Sequence, residues 1–189
     1  MFTTITSLRD RFLQTRSQTE KICQPLSPED HVVQPIVDVS PPKWHLGHTT
    51  WFYEAFILSD QLEGYKLFHE DYAYLFNSYY ESKGARMVRT DRGNITRPSV
   101  KEVMAYRSYV DAHMEALLEQ GINENTEKIL ELGLQHEQQH QELLMYDIKY
   151  ILGNNPLFPE YSPRQSSVVD YGERELKWLK IERNKEAIT

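Results

Sequence analysis

The sequence predicts an all-α protein: a four-helix bundle with a long connection between its second and third helices and an irregular C-terminal tail. Three observations lead there. Several long stretches carry apolar residues at helical spacing. Those stretches are bounded by helix start and stop signals. The one stretch that alternates like a strand, ELKWLKIE in the tail, is short and single, and neither a βαβ pattern nor an internal repeat is visible.

Taken in order, residues 3–22 form the first helix, with Ile5, Leu8, Phe12 and Leu13 on one face and charged residues opposite. Ser27-Pro28-Glu29-Asp30 has an N-cap, a proline and early acids, so a short helix starts there. Ser40-Pro41-Pro42 repeats the signal for a second long helix over 41–61, apolar nearly all round and therefore deeply buried. Residues 62–98 are a long connection, a length that points to function or to short hidden elements. In its first half Phe68, Tyr72, Phe76 and Tyr79 follow helical spacing, which predicts a short helix packed on the bundle. Its second half, SKGARMVRTDRGNITRPS, is basic and turn-rich. Ser99 and Glu102 make a capping box that opens a third helix over 99–120, with Val103, Tyr106, Val110, Met114 and Leu117 inward and Gly121 at its end. The fourth helix covers 126–152 and closes on Gly153, Asn154, Asn155 and Pro156. Residues 1–155 are thus the bundle, and 156–189 a tail or linker.

The fourth helix carries the chemistry. Ile129, Leu132, Gly133, Leu143, Leu144, Asp147 and Ile151 are expected on its inner face, with His136 and His140 in the middle. Four residues make about 400° of turn, so both imidazoles point the same way, one turn apart. Two histidines inside an apolar stripe at that spacing can serve one metal ion. Two imidazoles leave an ion under-coordinated, so a third ligand comes from another helix. His45 and His48 on the second helix lie three residues apart and either can face inward. Gly47 beside them allows a neighbour to come close. His31, His69 and His113 are expected to be ordinary surface or hydrogen-bonding residues. Glu142 points away from the pair, Glu137 is at best flanking, and Asp147 lies on the correct face as a residue that can orient an imidazole. Three imidazoles suit zinc, iron, copper or nickel. The string from His136 to His140 also fits H-E-x-x-H, with Glu137 as base and Glu160 as a distant third ligand. That zinc-protease reading is disfavoured, because Glu160 follows Pro159 in a loop and no edge strand is visible to bind a peptide. A second constellation, Arg86, Arg89, Arg92 and Arg97, suits a carboxylate clamp, or else a solvated loop.

Composition limits the partners. Against 28 acidic residues stand 21 basic ones, a net charge of −7, which argues against nucleic acid or an anionic membrane surface. The single cysteine, Cys23, forbids an internal disulfide and fits a reducing compartment. MFTTITSLRDRF has no apolar segment of a secretory signal, and no run approaches the ~20 residues that span a bilayer. A cytoplasmic protein is expected.

Five stretches together resemble the ergothioneine-biosynthesis sulfoxide synthases: LSPEDHVVQP, SPPKWHLGHTTWFYEAFIL, YLFNSYYE, RMVRTDRGNITRPSVKEVMAYRSYVD, and ELGLQHEQQHQELLMYDIKYIL with NNPLFPEY. They cover about residues 26–161, and their order and combination are far more specific than H-x-x-x-H, which the wider DinB-like bundle superfamily shares. The resemblance implies iron(II), Fe(2+), held by His48, His136 and His140, and so selects His48 over His45. It implies dioxygen-dependent C–S bond formation between hercynine and cysteine or γ-glutamylcysteine, giving a sulfoxide. It implies that Arg89 and Arg92 hold the thiol substrate's carboxylates, with Arg86 and Arg89 at the same spacing, and that Gln139 faces the site. It further implies a second domain, resembling the formylglycine-generating enzyme, that supplies a catalytic tyrosine and much of the hercynine pocket. This sequence reaches Thr189 where that domain would begin, so a second domain or chain is expected to complete the site. The rival readings are a DinB-like, metal-dependent thiol transferase and a non-catalytic helical interaction domain.

Overall fold

The Ser7 side chain accepts from the Asp10 amide and opens α1, Leu8–Cys23, at the beginning of the computed structural model, which describes residues 7–78, 80 and 84–162. Ile5, Tyr79 and the ELKWLKIE stretch lie outside the described residues. The start signal at Ser27 yields a single 3-10 turn, Asp30–Val32, in place of a helix. Ser40-Pro41-Pro42 opens α2, Pro42–Tyr53, in which every residue is buried. It runs on through a π-helical turn, Glu54–Leu58, to a last turn at Ser59–Gln61. The wider turn carries the buried Glu54, which accepts from the Tyr65 hydroxyl (2.7 Å) and the Phe68 amide (3.1 Å) and from Tyr106. This ties the chain leaving α2 to the bundle.

The expected short helix is α3, Tyr72–Phe76. The arginine segment forms a 3-10 turn, Arg89–Asn94. It is pinned to the head of α2 by the buried Lys43, whose Nζ donates to the carbonyls of Ile95 (2.6 Å) and Pro98 (2.8 Å). The capping box at Ser99 and Glu102 opens α4, Val100–Gln120, and the five expected inward residues, Val103, Tyr106, Val110, Met114 and Leu117, are all buried. The last helix, α5, spans Glu124–Gly153 with Asn123 as its cap. In the bundle, α2 packs on α4 and α5, and α1 closes the other side against α5 and α4. Among the described residues there is no strand, and no helix is long and apolar enough to cross a membrane.

The inner face of α5 differs from the expected one. Gly133, Leu144, Asp147 and Ile151 are buried, but Leu132 and Leu143 are exposed, at 56% and 44%. The axis of the buried face runs through Leu130, Leu134, Glu137, His140 and Ile148. Glu137 can lie at its centre because two buried arginines neutralise it. Arg16 of α1 donates to Glu137 (2.9 Å), to Asp111 of α4 (2.7 Å) and to Thr50 of α2 (2.8 Å). Arg107 of α4 donates to Glu137 (3.1 Å) and to Thr49 and the Leu46 carbonyl of α2 (3.1 and 3.2 Å), and Thr19 of α1 donates to Glu137 (2.7 Å). One ionic cluster therefore joins all four long helices.

Two glycines set close approaches. A Cβ on Gly133 would lie 2.7 Å from the Tyr53 ring, so α5 seats tightly on α2 there. A Cβ on Gly47 would overlap the Phe76 ring, which is fully buried against α2. Gly47→Ala should therefore destabilise the protein by about 1–3 kcal/mol, the usual cost of overpacking, read as a lower urea midpoint at an unchanged slope.

Candidate metal centre

His48 projects from the middle of α2, and His136 and His140 from successive turns of α5. The structure brings the three together: one nitrogen of each lies within 4.8 Å of the others. The His48 and His136 Nε2 atoms are 3.1 Å apart. Two imidazoles bound side by side to an ion at ~2.1 Å stand about 3 Å from one another, so the pair is already spaced for a shared cation.

Hydrogen bonding assigns the lone pairs. The Phe76 carbonyl can only accept, so His48 donates from Nδ1 (2.6 Å) and keeps a bare Nε2. His136 has no partner for its buried Nδ1 among the described residues, and its Nε2 faces His48. His140 turns its Nδ1 to the Nδ1 of His45 (2.9 Å). Burial holds these imidazoles neutral: it drives His48 and His140 well below the usual histidine range and lowers His136 to about 4. Neutral imidazoles whose ring nitrogens converge are borderline donors that suit a first-row divalent ion, so the residues present fit a metal.

His45 does not join the three. It is buried against Asp147, whose carboxylate accepts from His45 Nε2 (2.9 Å) and from the Ser40 amide (3.0 Å). His31 is buried and hydrogen-bonds the Ser27 carbonyl (2.8 Å), His113 hydrogen-bonds the Tyr109 carbonyl (2.8 Å), and His69 is exposed. Glu137 and Glu160 are outside the cluster: both Glu137 oxygens are engaged in the ionic core, and Glu160 is exposed in the loop beyond α5. The H-E-x-x-H reading thus has no base and no third ligand here.

The three histidines line a cavity of about 500 Å³ together with Arg89, Arg92 and Gln139. Arg92 is buried, with its guanidinium carbon 3.3 Å from the centre of the Trp44 ring system, and it donates to the hydroxyl oxygens of Ser40 (2.8 Å) and Ser78 (3.1 Å). The same indole stacks on His48, 4.5 Å between ring centres and 12° from parallel, and is fixed by its own bond to the Leu75 carbonyl (3.2 Å). Arg89 is exposed and donates to the carbonyls of Val37 (3.0 Å) and Asp38 (2.5 Å). Arg86, Arg89 and Arg92 also line a smaller adjoining cleft of about 270 Å³. Arg97 points elsewhere, to the Thr96 carbonyl. Sequence reasoning missed Trp44 and the bridging place of His45. The signal for Trp44 was its position four residues before His48, one turn away on the same face.

Residues 11–144 match the family model of the DinB superfamily, a span that holds all three clustered histidines and both cavity arginines. No curated protein matches the chain.

Proposed function

The chain belongs to the DinB superfamily, and from that premise we propose that it is an iron(II)-binding domain of a sulfoxide synthase joining hercynine to cysteine or γ-glutamylcysteine with dioxygen. The observation that carries this reading is the meeting of two chemistries in one cavity: three histidines with converging ring nitrogens and two arginines line it together. Bound iron would supply the redox centre that activates dioxygen. The protein's own residues bind and orient the substrates. Arg89 and Arg92 suit the carboxylates of an amino-acid thiol, since guanidinium groups hold carboxylates by paired, charge-assisted bonds. Gln139 offers an amide to whatever sits over the metal. Trp44 places the arginine side of the cavity in register with His48, because one indole contacts both.

Two further features support a partner surface. Leu143 and Tyr146 are in the wall of the cavity and are 44% and 61% exposed. An apolar rim of this kind is what a covering domain, in this chain or another, would bury, excluding water from the reaction. A cytoplasmic setting keeps both iron(II) and the thiol substrate reduced.

The test is anaerobic purification with metal analysis, followed by mass spectrometry for sulfoxide with hercynine, thiol and dioxygen, a covering domain being supplied as a second chain. Stoichiometric iron(II) and a sulfoxide product are expected. Tight zinc binding with thiol transfer that ignores oxygen would overturn the iron reading, and absence of any stoichiometric metal would overturn both.

A further inference from the structure

The contact between His45 and His140 pairs two side-chain nitrogens that cannot both donate. Their bond needs one proton, and the surroundings decide where it sits. Asp147 accepts at His45 Nε2 (2.9 Å), so the His45 proton is on that nitrogen and its Nδ1 is a bare acceptor. Asp147 is itself fixed, with the same oxygen taking the Ser40 amide (3.0 Å) at the head of α2. His140 must then donate from Nδ1 across the 2.9 Å contact, which leaves its Nε2 unprotonated. All three groups are buried.

We propose that His45 is a positioning residue: clamped by Asp147, it commits His140 to the tautomer whose Nε2 lone pair is available as a ligand. Without the acceptor on His45, the proton of His140 is free to move to Nε2, where it blocks coordination. The carboxylate also acts through the relay, drawing the His140 proton toward His45 and making the ligand nitrogen more basic. This reading rests on the metal-binding part of the proposed function, and the experiment separates the two.

Titration of the metal-free protein with Co²⁺ gives affinity and a d–d spectrum without turnover. His45→Phe fills the space and removes the acceptor, and should weaken Co²⁺ binding by about 10–100-fold, the range for loss of an outer partner of a ligand. His45→Gln keeps a donor for Asp147 and an acceptor for His140, and should restore affinity and spectrum close to the unmodified protein. A role in packing alone would not produce that rescue. Unchanged binding in His45→Phe, or a Gln variant as weak as the Phe variant, would overturn the proposal. Nitrogen-15 NMR of the metal-free, unmodified protein decides the matter separately, including where His45→Phe fails to fold: a proton on His140 Nδ1 supports the relay, and a proton on Nε2 overturns it. Failure of the unmodified protein to bind Co²⁺ would count against the metal reading, and the NMR tautomer would still judge the relay.

Discussion

Replacing Glu137 with alanine should bring the metal-free protein close to unfolding while its neighbour His136 stays where it is. The substitution removes the anion held between Arg16 and Arg107, both nearly or fully buried. Their remaining acidic partners are Asp111, on Arg16, and Glu20, which is 3.5 Å from Arg107 and 41% exposed. Breaking a buried pair by deleting one partner costs about 3–5 kcal/mol, because the other charge is left without compensation. Here one deletion takes an anion from two buried cations, each left with a single acidic partner, and Thr19 loses the nearer of its two acceptors. Against a total stability of about 5–15 kcal/mol for a typical domain, that is a large part of the whole. The arginines hold the Glu137 carboxyl at about 2, far below the usual range despite complete burial, so it is ionised at any working pH. Glu137→Gln keeps the volume and the acceptor but not the charge, and should fall between the two. The urea midpoint of the three proteins checks this. A Glu137→Ala protein of unchanged stability that had lost a catalytic function would return Glu137 to the site and revive the zinc-protease motif.

The same cluster explains where the sequence was readable and where it was not. The capping box at Ser99, the proline start at Ser40 and the inner face of α4 were all legible, because each is a local signal whose geometry depends on a few neighbouring residues. The face of α5 lies further from Leu132 and Leu143 than their apolar character predicts, because apolar residues count as inward and Glu137 as at best flanking. That rule fails when charges are neutralised inside. The missing signal was present in three places: Arg16 lies four residues after Phe12, Arg107 four after Val103, and Glu137 four after Gly133, each on a buried face. No pattern within one helix reveals that these three meet, since their partners come from other helices. The histidines show the same division. Spacing puts His136 and His140 on one side of one helix, but His45 and His48 are equivalent by spacing alone. The separation comes from Asp147, which captures His45, and from the Phe76 carbonyl, which turns His48 toward α5.

The largest functional effect should come from deleting a ligand. Structural zinc sites with four ligands bind with ~10–16 kcal/mol, or ~2.5–4 kcal/mol for each ligand, so one loss corresponds to about 10²–10³-fold in affinity. His136→Ala is the cleanest variant. His136 is only partly buried and its Nδ1 has no partner among the described residues, so its removal breaks no hydrogen bond beyond the contact with His48. Helix content and metal-free stability should therefore stay near those of the unmodified protein while metal retention is lost. His48→Ala should lose the metal to the same degree but also cost stability, because the Phe76 carbonyl is left buried without its donor and Trp44 loses its stacking partner. The contrast is read most directly by thermal unfolding with and without Fe²⁺. An ion at about 100 times its dissociation constant adds ~2.7 kcal/mol to a protein that binds it only when folded. The unmodified protein should show that upward shift and His136→Ala should not. An equal shift in both would mean that the ion binds elsewhere and that the three histidines are core residues held together by packing alone.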